Sequence, residues 1–163
     1  MKSRDYTRGV RRLSSESRRV PPPQARRPTV AAGSRDISVP VFDVDDDGVS
    51  IRGVRRGFED LLGELEGGRF PVHDTLDLHG SSAEDARRAL LAFCKRARGR
   101  VRRAVLVVHG KGSHSPGGRG VLRDEIAVWL SSPPVAEHVV CFASAPLRRG
   151  GGGSVYVLVS AWR

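Results

Sequence analysis

Residues 74 to 161 alternate short apolar runs with stretches whose apolar side chains recur every three or four positions, a pattern that few folds accommodate. Thr75-Leu76-Asp77-Leu78 reads as a strand, and Ser81 with Glu84 is spaced as a capping box that opens a helix. Ala83, Ala86, Leu90, Cys94 and Ala97 share one face of that helix, Arg87, Arg88, Lys95, Arg96 and Arg98 crowd elsewhere on its surface, and Gly99 ends it. Ala104 to Val108 is a continuous apolar strand. A long polar loop from His109 to Gly120 leads to a second helix carrying Val121, Leu122, Ile126, Trp129 and Leu130, which Pro133-Pro134 stops. His138 to Ala143 and Ser154 to Ala161 are two further strands, separated by a turn region with Arg148, Arg149 and Gly150 to Gly153. Crossover helices imply a parallel start to the sheet, and the last hairpin implies an antiparallel partner. The order predicts an α/β fold, a two-layer sandwich with a β-α-β-α-β-β mixed sheet.

The remaining residues are organised differently. Residues 1–39 scatter Arg11, Arg12, Arg18, Arg19, Arg26 and Arg27 among serines and the Pro21 to Pro23 run, with too few apolar side chains to offset the entropy of ordering a backbone. A disordered basic tail is expected there. Residues 40–70 predict an N-terminal extension of short strands and a helix: Val49-Ser50-Ile51 as a strand, and Phe58, Leu61, Leu62 and Leu65 at helical spacing before Gly67-Gly68. Asp43, Asp45, Asp47 and Gly48 match the first half of an EF-hand loop, but its twelfth position is Val54 and not a bidentate Glu, so the stretch reads as an exposed turn. The main domain is assigned to residues 71–163.

Charge follows the same divisions. Residues 1–40 carry ten Lys and Arg against three Asp and Glu, residues 41–70 four against eight, and residues 71–163 fourteen against seven. Nucleic acid is the simplest partner for the two basic segments, because Lys and Arg release condensed counterions on contacting phosphate; a GC-rich genome also produces an Arg-rich chain. The tail either holds RNA electrostatically or is merely solvated. Cys94 and Cys141 each sit in an apolar run and read as small buried hydrophobes. No stretch reaches the roughly 18 apolar residues of a membrane helix, and no apolar segment follows the charged N-terminus as in a signal peptide. A soluble, cytoplasmic protein with no membrane partner is expected.

Polar residues gather at the strand ends. Asp77, His79 and Gly80 close the first strand, and His109, Gly110, Lys111 and Gly112 close the second; as parallel neighbours, both sets emerge at one edge of the sheet. Alternation puts Asp77 and His79 on one side, with Leu76 and Leu78 opposite. A phosphodiester suits this set: two imidazoles can divide general base and acid roles, Lys111 can neutralise a developing oxyanion, and Asp77 can orient a histidine or hold a metal. Gly110, Gly112, Gly117, Gly118 and Gly120 let backbone amides approach an anion just ahead of a helix N-terminus. The spacing is not that of a Walker loop. Each residue alone also has a structural role, His79 as a cap, His109 satisfying a buried carbonyl, the glycines permitting turns; the repeated His-Gly pair favours a site. His73, His114 and His138 are left outside it.

These motifs, Leu76-Asp77-Leu78-His79-Gly80, Glu84-Asp85-Ala86, Val108-His109-Gly110-Lys111-Gly112, Gly118-x-Gly120-Val121-Leu122 and Gly151-Gly152-Gly153-Ser154-Val155, resemble the Smr domain, the small MutS-related family. The resemblance covers residues 74 to 161, and Val49 to Phe70 resembles the extension of stand-alone bacterial members. It implies nicking or endonuclease activity on DNA or RNA, on a fold similar to the C-terminal domain of a bacterial translation initiation factor. By motif match it implies catalytic roles for Asp77, His79 and His109 and site roles for Gly110 and Gly112; from the residues themselves Gly80, Lys111, Gly118 and Gly120 are expected to hold substrate, and Arg148 and Arg149, beside the final glycine turn, to contact the nucleic-acid backbone. Asp77 and His79 would be the ligands if Mg²⁺ or Mn²⁺ takes part; an RNA substrate, with its own 2′-hydroxyl, favours a metal-free route. The alternative is a non-catalytic module that binds nucleic acid or a ribosome through the same basic surface.

Overall fold

A computed structural model describes residues 39–99, 101–112 and 120–160; the expected basic tail, up to residue 38, lies outside them. In chain order the regular elements are β1 (Phe42–Asp46), β2 (Ile51–Arg55), α1 (Glu59–Glu66), β3 (Val72–Asp77), α2 (Ala83–Ala97), β4 (Arg103–Val108), α3 (Val121–Ser131), β5 (Val139–Ser144) and β6 (Ser154–Val159). They form one six-stranded mixed sheet in the order β1-β2-β5-β6-β4-β3. β3 and β4 are parallel, joined by α2, and every other pairing is antiparallel. β6, the last strand, inserts between β4 and β5 and completes the sheet.

Alternation along β4 and β6 divides the core. Val105, Val107, Val155 and Val157 face α2 and α3, where Leu90, Phe93, Ile126 and Leu130 are buried; each such side chain contributes about 1.5–3 kcal/mol. Ala104, Leu106, Tyr156 and Leu158 face the other way, onto Leu65 of α1. Burial on both faces is why these strands are continuous apolar runs. The expected two layers hold for the core beyond residue 71, while α1 adds a partial third layer on the opposite face. Among the described residues no helix is long and apolar enough to cross a membrane. Cys94 and Cys141 are both buried and free.

The extension departs from the sequence expectation. Val49 and Ser50 are not strand: their amides donate to Asp47 Oδ1 at 2.8 and 2.7 Å, which folds them into the turn of a hairpin whose strands are β1 and β2. Asp43 and Asp45 lie on β1, where they pair with Arg56 and Arg52 across the hairpin, so only Asp47 and Gly48 belong to the exposed turn. The hairpin continues the main sheet through β2 and β5. Gly53 permits that pairing, since a Cβ there would collide with the Phe142 ring. The cap of α2 also differs: Ser82, one residue beyond the expected Ser81, accepts from the Asp85 amide at 3.2 Å and donates to its carboxylate at 2.8 Å. The Ser81 amide is already committed to the Leu78 carbonyl at 3.0 Å, so the chain is still turning there.

Candidate active site at the ends of the parallel strands

Parallel pairing sets Asp77 opposite Val108, so the residues after each strand emerge side by side. The Leu78 amide donates to the Val108 carbonyl at 2.7 Å, one step past the strand, and Leu78 is buried. That anchors the backbone and turns Asp77 and His79 outward. Asp77 Oδ1 accepts from the His79 amide at 3.0 Å and meets His79 Nδ1 at 2.7 Å. The bonds from the His79 ring and amide hold the carboxylate below its ordinary range, so it is ionised near neutrality. An ionised carboxylate only accepts, which assigns the proton to Nδ1 and leaves Nε2 as the reactive nitrogen of His79.

His109 follows β4 and is 5% exposed. Its Nδ1 lies 2.9 Å from the Gly110 carbonyl, an acceptor, so here too the proton sits on Nδ1 and Nε2 keeps the lone pair. Burial pushes this imidazole below its ordinary pKa, the Gly110 bond works against that, and the positive charge of Arg123 reinforces it. His109 is therefore neutral at pH 7. The two segments meet where Gly110, at φ +82°, lies against His79: a Cβ on Gly110 would be 3.5 Å from the His79 Cβ.

The glycine turn before β6 supports this loop from below. The His109 and Gly110 amides both donate to the Gly153 carbonyl at 3.0 Å. A Cβ on Gly153 would press to 3.0 Å from Lys111 Cγ, and one on Gly120 to 2.9 Å from Gly112 Cα, so glycine lets three backbone segments meet. Between them opens a pocket of about 640 Å³, lined by both histidines, Gly80, Ser82, Gly110, Lys111, Gly112 and Gly120. The first residues of α2 and α3, Ala83 and Val121, line it as well, and Gly120 gives α3 no side-chain cap. Two helix N-termini aimed into one pocket beside a lysine favour an anion.

Of the residues expected in the site, Asp77 stands behind His79, while Gly118 and His114 lie outside the described residues. Arg148 and Arg149 are exposed on a separate turn and do not line the pocket. His73 is exposed, and His138 is buried beside Arg98, whose Nη1 is 3.5 Å from its Nδ1. Sequence reasoning missed Arg123, whose guanidinium grips Asp46 of β1 with bonds of 2.8 and 2.9 Å. A cation in the first turn of α3 opposes the helix dipole, and that oddity was the available signal of a fixed carboxylate partner. No group of three His, Cys, Asp or Glu able to hold a metal occurs among the described residues. Asp77 Oδ1 and His79 Nδ1 are committed to each other, so Mg²⁺ or Mn²⁺ would find one carboxylate oxygen and one imidazole nitrogen here, too few for a protein-built cage.

A model of the Smr domain matches residues 76–160. Probable DNA endonuclease SmrA of Escherichia coli (strain K12) is 29% identical over 97 residues, 60% of this chain and 50% of that protein. Ribosome rescue factor SmrB of Aliivibrio salmonicida (strain LFI1238) is 32% identical over 117 residues, 70% of this chain and 55% of that one. The crystal structure of YdaL, a stand-alone small MutS-related protein from Escherichia coli, aligns with 76% of this chain and 85% of its own at 25% identity and a TM-score of 0.49. The chain spans about half the length of the curated relatives it matches. With both His-Gly pairs, α2, α3 and the final glycine turn inside the matched span, the chain belongs to the Smr domain family.

Proposed function

We propose that this protein cleaves phosphodiester bonds of nucleic acid, with RNA as the better substrate, in the pocket between the ends of β3 and β4. The observation that carries this reading is the pair of imidazoles, each with its Nδ1 occupied, in contrasting environments at one anion-favouring pocket. His109, buried and neutral, takes the proton of the ribose 2′-hydroxyl at Nε2. The 2′-oxygen attacks the adjacent phosphorus, the bond to the 5′-oxygen breaks, and that oxygen takes a proton from Nε2 of protonated His79. The products are a 2′,3′-cyclic phosphate and a 5′-hydroxyl. Asp77 orients His79, and Lys111 with the Gly112 amide neutralises charge on the phosphoryl oxygens. No step requires a metal.

The relatives support a nucleic-acid or ribosomal partner, one being named a DNA endonuclease and another a ribosome rescue factor. Arg148 and Arg149 serve binding outside the pocket. The test is the double change His79→Ala with His109→Ala, measured for cleavage and for salt-dependent binding. Cleavage lost with affinity kept supports the nuclease; a wild-type chain that binds tightly and never cleaves would make it a binding module.

A further inference from the structure

Leu147 is 91% exposed, the largest exposure of any large apolar side chain among the described residues. Hydrogen bonds hold it outward. The Arg149 amide donates to the Pro146 carbonyl at 2.8 Å, the Gly150 amide to Leu147 at 3.2 Å, and the Gly151 amide to Pro146 at 3.2 Å. Gly150 adopts φ +108°, in the left-handed region, which ends the turn and sends the chain back to β6. At its other end this segment is the glycine run whose Gly153 carbonyl holds the His109 and Gly110 amides. Leu147 is thus displayed from a turn tied directly to the pocket loop. The hairpin turn lies at the same end of the sheet: a Cβ on Gly152 would be 3.4 Å from the carbonyl oxygen of Val49, itself 78% exposed.

The turn also carries charge that no carboxylate among the described residues neutralises, as does the cationic face of α2 at Arg87, Lys95 and Arg96. Arg52, Arg56, Arg69, Arg88 and Arg123 each have a carboxylate within 4.0 Å. Arg148 and Arg149 have none among the described residues, and neither does Lys111. An exposed leucine beside two unneutralised guanidinium groups suits a ligand that alternates flat apolar groups with anions. A nucleic-acid strand with unstacked bases has that alternation, and apolar side chains serve as wedges between bases elsewhere.

We propose that Leu147 is a wedge that packs against an unstacked base while Arg148 and Arg149 take flanking phosphates, so that this turn sets where a strand enters the pocket. The inference rests on nucleic acid being the ligand, as in the proposed function, and adds a preference for single-stranded or opened segments over uniform duplex. The experiment measures binding of the full chain, carrying His79→Ala and His109→Ala to prevent turnover, to a labelled single-stranded RNA and to the same sequence as a duplex across a salt series. Leu147→Ala is expected to weaken single-strand binding about 10-fold, the low end of what burying a leucine supplies, with duplex binding and the salt slope unchanged. Arg148→Ala and Arg149→Ala are each expected to lower the slope of log affinity against log salt by about 0.7. Single-strand affinity unchanged by Leu147→Ala beside tight binding by the parent overturns the wedge alone, as does equal weakening on both ligands. A parent that binds neither RNA overturns the proposed function and the wedge with it.

Discussion

The ends of β3 and β4 carry the same dipeptide, His79-Gly80 and His109-Gly110, yet they treat the histidine in opposite ways. After β3, at the edge of the sheet, the ring is exposed and leans on an ionised carboxylate. After β4, with a strand on each side, the ring is buried, bonded to its own loop carbonyl and near an arginine. Register makes the difference: Asp77 pairs with Val108, so His109 is in step with Leu78 and turns inward with it, whereas His79, one residue further along, turns to solvent. One motif in two settings yields one exposed imidazole oriented by a carboxylate and one buried imidazole kept neutral by its surroundings.

The largest effect expected from breaking this pair is on cleavage. His79→Ala and His109→Ala should each lower the rate by about 10²- to 10⁴-fold in single-turnover assays. Only His109→Ala should also lower stability, by about 1–3 kcal/mol in denaturant melts, because it removes a buried hydrogen-bonded side chain. Asp77→Asn should cost about 100-fold in rate with little change in stability, since it releases the orientation of an exposed ring. Asp46→Ala should destabilise the fold by about 1–2 kcal/mol, because it strips a half-buried Arg123 of both its bonds.

A pH series sharpens the same contrast. The folded state holds His109 below its ordinary pKa of 6.5, so the stability it contributes is complete above about pH 6.5 and is lost as pH falls through the folded value. His138 is depressed in the same direction by burial and Arg98, so the difference between wild type and His109→Asn in thermal melts from pH 8 to 5 isolates the His109 part. The smallest effect is expected from removing residues 1–39: the remaining chain should melt cooperatively at an unchanged temperature, and aggregation would move the proposed boundary.

What was legible in the sequence had local causes. The apolar runs of β4 and β6 and the helical spacing of α2 and α3 are visible because burial dictates their composition. The meeting of the two His-Gly segments followed from one topological step, a crossover helix between parallel strands. Illegible features depend on distant or competing partners. Arg123 and Asp46 lie 77 positions apart, and neither announces the other. Ser81 and Ser82 are equivalent as caps until the Leu78 carbonyl claims the Ser81 amide. Val49 and Ser50 have strand-like neighbours, but the Asp47 carboxylate captures their amides and converts them into a turn. The helical spacing of α1 was plain, whereas the sheet face it covers depends on the hairpin joining β5.

The most direct measurement incubates the full chain with end-labelled single-stranded RNA and matched DNA, in EDTA and with Mg²⁺ or Mn²⁺, and identifies the product ends. RNA cleaved in EDTA, leaving a 2′,3′-cyclic phosphate and a 5′-hydroxyl, is the result predicted from two imidazoles acting alone. Cleavage that occurs only with added metal and leaves no cyclic phosphate would contradict it and make Asp77 a metal ligand instead of the residue that orients His79.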